Sequence, residues 1–190
     1  MDFMAEKLQN INISQGAMRL GIWLGLYQTV KLALFPLVLR YPTLTLLLII
    51  VAVGVPFFLW RLVRNFRESE TNGFFPFISA WLLSMMTILF ATMISSIVAY
   101  LYLRYIDGGS FMTAMAAQME ASKAMILSGD FPVADTDAAV KTAENVIELF
   151  SSMTPLEFTK QIISSTLFWG NLFSIVIALI TAKIKPIKIE

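Results

Sequence analysis

Any chemistry in this chain has to come from few side chains, because it contains no histidine and no cysteine. That removes imidazole bases, thiol nucleophiles, disulfides and the commonest zinc ligands together. What remains inside the apolar segments is one amine, Lys31, with Ser95 and Ser96 as candidate nucleophiles. An amine desolvated in lipid can serve as a base toward a hydroxyl, so a serine–lysine dyad is the one catalytic pairing to weigh. Nothing in the spacing of these residues supports it, and no acid lies in any span. Glycine-rich phosphate loops, metal-ligand clusters and basic patches interleaved with aromatics are also missing. The expectation is a protein that is not an enzyme, holds no cofactor or metal and binds no nucleic acid.

The same scarcity makes each cation informative. Lys31 sits roughly 12 Å, at 1.5 Å per residue, from the Leu39 end of its segment. An ammonium at membrane depth costs about 2.5 to 3.5 kcal/mol at the centre, less when its stem reaches the interface. Snorkelling is the ordinary reading of Lys31. The functional reading has Lys31, Arg40 and Arg104 converging at one interface on an anionic lipid headgroup. Asp107 offers a third outcome, pairing with one of these cations and making the cluster structural. Arg61, Arg64 and Arg67 leave the second segment on successive turns, roughly on one face; their ordinary role is to set topology, with an attraction to anionic lipid of about 1 kcal/mol each.

The elements that must position these groups are four apolar segments, Gly16 to Leu39, Thr43 to Trp60, Phe77 to Leu103 and Ile162 to Ala182. Each meets or nearly meets the roughly 20 residues needed to cross the hydrocarbon core as a helix. Composition agrees, with 57% hydrophobic and only 14% charged residues, far from the usual globular mix. The 190 residues are expected to form a single membrane domain, 1–190, whose only sizeable remainder is the connection 104–160. The first residues lack the basic region and cleavage site of a signal peptide, so the first span is expected to stay as an anchor in a full-length chain.

Basic residues distribute unevenly once assigned to alternate sides of the spans. Lys7, Arg19, Arg61, Arg64, Arg67, Lys183, Lys185 and Lys188 fall on one side, against Arg40, Arg104, Lys123, Lys141 and Lys160 on the other. The positive-inside rule then places both termini in the cytoplasm and the connection 104–160 on the periplasmic or external side. That connection is acidic, carrying Asp107, Glu120, Asp130, Asp135, Asp137, Glu144, Glu148 and Glu157. Met112, Met115, Met119 and Ile126 mark the apolar face of one helix in it. After the breaker Ser128-Gly129-Asp130-Phe131-Pro132, Asp135 or Thr136 can cap a second whose apolar face is Val140, Ala143, Ile147 and Phe150. An amphipathic hairpin follows, its stripes packing together or lying on the membrane, with a partner-binding groove as the sharper alternative. Thr154-Pro155-Leu156-Glu157 is a capping box with proline at the first helical position, so the last helix starts before the bilayer and runs from Pro155 to Ala182. The third is expected to start near Phe74.

Small residues recur every four positions on three spans: Ala17, Gly21 and Gly25; Ala91, Ser95 and Ala99; Gly170, Ser174, Ala178 and Ala182. In lipid, close backbone approach along such stripes drives helix association, within one bundle, in a homodimer or against a partner's helix. Pro36 and Pro56 each remove a backbone hydrogen bond late in their spans and shape either a cavity or a bend.

Taken in order, these features resemble a family of uncharacterised bacterial membrane proteins, domain of unknown function 4199. The resemblance lies in the four spans, in Asn72-Gly73-Phe74-Phe75-Pro76-Phe77 leading into the third, and in Tyr100-Leu101-Tyr102-Leu103-Arg104-Tyr105-Ile106-Asp107 closing it. A methionine-containing helical connection, Ser152-Met153-Thr154-Pro155 and a lysine tail complete it. It implies an inner-membrane location, with no assigned activity and no functional residues to carry over.

The reading is an all-α, polytopic membrane protein, a four-helix bundle with an external amphipathic hairpin between spans three and four. The leading function is an accessory or scaffolding subunit that presents its small-residue faces to a membrane-protein partner or a second copy within the lipid bilayer. The alternative is a lipid or small-solute carrier handling a phosphate headgroup through Lys31, Arg40 and Arg104. The few polar residues in the spans argue against an aqueous ion path.

Overall fold

The computed structural model describes residues 13–71, 75–129 and 135–182. The sequence features carried by Lys7, by Asn72, Gly73 and Phe74, by Asp130, Phe131 and Pro132, and by Lys183, Lys185 and Lys188 lie outside these residues. The described chain is almost entirely helical, in six α-helices: α1 (Ile13–Arg40), α2 (Thr45–Glu70), α3 (Phe77–Leu101), α4 (Ser110–Ser128), α5 (Thr136–Ser152) and α6 (Pro155–Thr181). A 3₁₀ turn, Pro42–Leu44, joins α1 to α2, and α3 runs on into a π-helical turn, Tyr102–Ile106. Four of the helices are long and apolar enough to cross a membrane. The chain is a four-span helical bundle.

The helix starts follow local chemistry. Asp135 caps α5, its Oδ1 accepting from the Ala138 N–H at 3.0 Å. At α6 the capping box closes reciprocally: the Thr154 N–H donates to Glu157 Oε2 at 2.7 Å, and the Glu157 N–H to Thr154 Oγ1 at 3.3 Å. Two orphan N–H groups are thereby satisfied before the apolar run begins. The chain turns at Gly109 and Gly129, with φ of 88° and 81°, flanking α4 in a conformation that only glycine adopts at little cost. Both α1 and α2 continue through their prolines, Pro36 and Pro56.

The third span is the axle of the bundle. Its most apolar stretch is 44% buried, against 11 to 22% for the other three, so α1 and α6 pack on α3 while α2 lies at the periphery. Small residues make this approach possible. A Cβ added to Gly21 would lie 2.6 Å from the Phe90 Cβ, and one on Gly25 would lie 3.2 Å from the Ala91 carbonyl oxygen. On the opposite side of α3, a Cβ on Gly170 would lie 2.6 Å from Ile88 Cγ2. Ser174 and Ala178 continue that buried face of α6, as Ser95 does on α3, while Ala99 is half-buried. These faces are occupied within the chain.

Two satellite arrangements complete the frame. Tyr27 stacks on Phe58 with ring centroids 5.1 Å apart, and its hydroxyl donates to the Val51 carbonyl at 2.9 Å, tying α1 to α2 near the turn that Pro56 disturbs. The α4–α5 hairpin packs back on the bundle through Leu103, Phe111 and Met112, with Phe150 and Phe158 against them. Lys123 Nζ and Glu144 Oε1, 2.9 Å apart, pin its two helices together.

Candidate functional site

Between α1, α3 and the hairpin lies a cleft of about 680 Å³. Its size falls in the range of about 300 to 1,000 Å³ usual for small-molecule sites. The floor is polar, with Thr29 of α1 and Ser95 of α3; the walls are apolar, with Leu32, Pro36 and Val98 among them. At the hairpin end it carries Arg40, Asp107 and Ser110, and Phe111 of α4 and Phe158 of α6 close it with their rings 5.3 Å apart. From Thr29 to Arg40 the trough is roughly 16 Å long at 1.5 Å per residue.

Local structure explains the position of each polar group. Ser95 donates to the buried Gln28 Oε1 at 3.1 Å, the one side-chain hydrogen bond between α1 and α3 among the described residues. Asp107 ends the π-helical turn, and its Oδ2 accepts from the Phe111 N–H at 2.8 Å, which fixes the carboxylate at the start of α4. The Tyr102 side chain lines the cleft together with this carboxylate. Arg40 ends α1 with its guanidinium 5.7 Å from the centroid of the Tyr41 ring, and it has no ion pair among the described residues. Pro36 lacks the N–H that would bond Leu32, and both line the cleft.

Of the three cations expected to converge, the structure brings only Arg40 to the cleft. Lys31 is nine residues away on the same helix, about two and a half turns, which puts it on the opposite side of α1. It is partly buried there, and it makes no hydrogen bond to Ser95 or Ser96, whose hydroxyls serve Gln28 and Thr92 and the Met93 carbonyl respectively. Arg104 is exposed on the π-helical turn and does not line the cleft. The three arginines of α2 also divide: Arg61 is exposed, Arg64 pairs with Glu68 at 2.9 Å, and Arg67 is buried with its guanidinium 2.8 Å from the Thr181 carbonyl oxygen. Sequence reasoning passed over Tyr102 and Ser110 as site residues, and weighed Asp107 only as a partner for a cation. No local pattern marks them; the reversal of the chain between α3 and α4 assembles the site.

The aromatic close of α3, the helical hairpin and the capped last span stand in one structure. A family model described as "Protein of unknown function (DUF4199)" matches residues 19–183. The chain belongs to this family. The DUF4199 match takes in the first membrane span from Arg19 onward, the other three spans, the hairpin and every residue of the cleft. No curated protein and no solved structure matches the chain.

Proposed function

We propose that this DUF4199 protein is a non-enzymatic lipid-handling protein of the cytoplasmic membrane that takes a phosphate-bearing amphiphile into the cleft. One observation carries the reading: an apolar trough of about 680 Å³ ends at an arginine, Arg40, without an ion-pair partner among the described residues. A guanidinium offers a planar fork of donors suited to phosphate, and apolar walls with a few convergent polar groups are what an amphiphile needs. The excess of basic residues on the other side of the spans favours both termini in the cytoplasm, which sets the Arg40 end in the outer leaflet.

The accessory-subunit reading is weaker on this geometry, because Gly21, Gly25, Gly170, Ser174 and Ala178 pack against the chain's own helices. It rests on exposed apolar residues such as Leu46, Ile50 and Phe57 of α2, which lipid tails cover equally well. Native mass spectrometry of protein extracted gently from its own membrane separates the two. Phospholipid retained by the wild type and lost in Arg40→Gln supports lipid handling. A stoichiometric protein partner with no selective lipid would sink it in favour of the accessory role.

A further inference from the structure

We infer that the cleft selects a zwitterionic phospholipid, one whose headgroup carries both a phosphate and a protonated amine. This rests on the lipid-handling reading and adds the headgroup class. Arg40 and Asp107 line the same end of the cleft from different elements, the close of α1 and the junction of the π-helical turn with α4. Neither forms an ion pair with the other or with any described residue. Opposite charges facing one cavity without joining leave two poles for a ligand to bridge.

The carboxylate is held for such a role. Its Oδ2 is engaged by the Phe111 N–H at 2.8 Å, and Tyr102 lines the same cleft. An ionised carboxylate has about four lone-pair sites, so acceptor capacity remains for an ammonium. A purely anionic headgroup would satisfy Arg40 and set its own charge near Asp107, a like-charge cost that works against that class of lipid. A phosphate toward Arg40 with an amine toward Asp107 satisfies both poles at once. Below them the trough of Leu32, Pro36 and Val98 accepts an acyl chain, and the glycerophospholipids of the bilayer carry headgroup and chain in one molecule.

The test offers full-length protein in detergent an equimolar mixture of phosphatidylethanolamine and phosphatidylglycerol, with native mass spectrometry as readout. The wild type is expected to retain phosphatidylethanolamine about tenfold over phosphatidylglycerol, the equivalent of about 1.4 kcal/mol. Asp107→Asn keeps a side-chain oxygen for the Phe111 N–H and should bring the two lipids to within twofold. Arg40→Gln should lower both. Retention of both lipids without preference, or a preference untouched by Asp107→Asn, overturns the headgroup assignment and leaves lipid handling standing. Retention of neither lipid by the wild type overturns both.

Discussion

The Arg67 guanidinium donates to the Thr181 carbonyl at 2.8 Å, joining the end of α2 to the end of α6 across 114 residues of chain. The last four carbonyls of a helix have no partner within it, and the negative end of the helix dipole favours a cation there. Arg67 is buried, with a second contact to Glu68 Oε1 at 3.2 Å. A hydrogen bond from a charged donor is worth about 1.5 to 3 kcal/mol. Because α2 lies at the edge of the bundle, this clamp is a large part of what ties it to α6.

Arg67→Ala is therefore expected to destabilise the fold by about 2 kcal/mol. Arg61→Ala, at an exposed position, should stay within about 0.5 kcal/mol. Unfolding of both variants in mixed micelles by graded addition of a denaturing detergent measures the difference. Equal midpoints would remove the clamp from the account.

Gly21 and Gly170 face neighbours of different rigidity, and the same substitution should separate them. A Cβ at Gly21 meets the Phe90 Cβ, anchored to its backbone, and lies 3.2 Å from the Thr87 carbonyl oxygen, whereas at Gly170 it meets only the Ile88 side chain. Alanine contributes about 1 kcal/mol of helix propensity at either site, against roughly 1 to 3 kcal/mol for overpacking that cannot relax. Gly21→Ala is expected to destabilise most, and Gly170→Ala to destabilise by less, because the Ile88 Cγ2 met at 2.6 Å belongs to a stiff β-branched side chain that yields only by changing rotamer. The same unfolding titration ranks them, and the reverse order would contradict the packing described for α3.

The hairpin should respond to pH through Lys123. Its hydrogen bond to Glu144 holds its pKa above the ordinary value of 10.5, with the charges of Glu144 and Glu120 adding to that and partial burial opposing it. A raised folded-state pKa means a contribution that is fully present below the unfolded value and lost as pH rises through the folded one. Melting of the hairpin, followed by hydrogen exchange of α4 amides up to mildly alkaline pH and by circular dichroism above it, should be insensitive to this group from neutrality to about pH 10 and then weaken. Lys123→Met should lose the alkaline step. An alkaline step of equal size in that variant would assign it to another group.

Helix existence was legible in the sequence because hydrophobic length and capping act over a few residues. The Thr154 to Glu157 box predicts the start of α6 at Pro155, and the helix begins there and ends at Thr181, one residue before the expected Ala182. Asp135 and the apolar positions around Ala143 describe α5 in the same way. The second helix runs ten residues past the apolar segment, to Glu70, because arginine, asparagine and glutamate continue a helix outside the hydrocarbon as readily as leucine does within it. Hydropathy reports the bilayer and not the helix end.

The site was legible only in fragments. Lys31, Arg40 and Arg104 have the same charge and similar apparent depth, and a linear sequence does not show which side of a helix meets which neighbour until the neighbours are known. About two and a half turns of α1 separate Arg40 from Lys31, which puts Arg40 on the cleft and Lys31 on the opposite side of the helix. Arg61, Arg64 and Arg67 were alike on the same grounds, and the packing of α6 buries one and leaves its neighbours exposed. The sequence by itself determined the number of spans, the capped starts of α5 and α6 and the small-residue stripes, because these depend on the solvent and on contacts within a few residues, whereas α3 starts at Phe77 and not near Phe74. The tertiary structure decided that the stripes close on the chain's own α3, and that Arg40 and Asp107 face one cavity, because both depend on contacts between residues tens of positions apart.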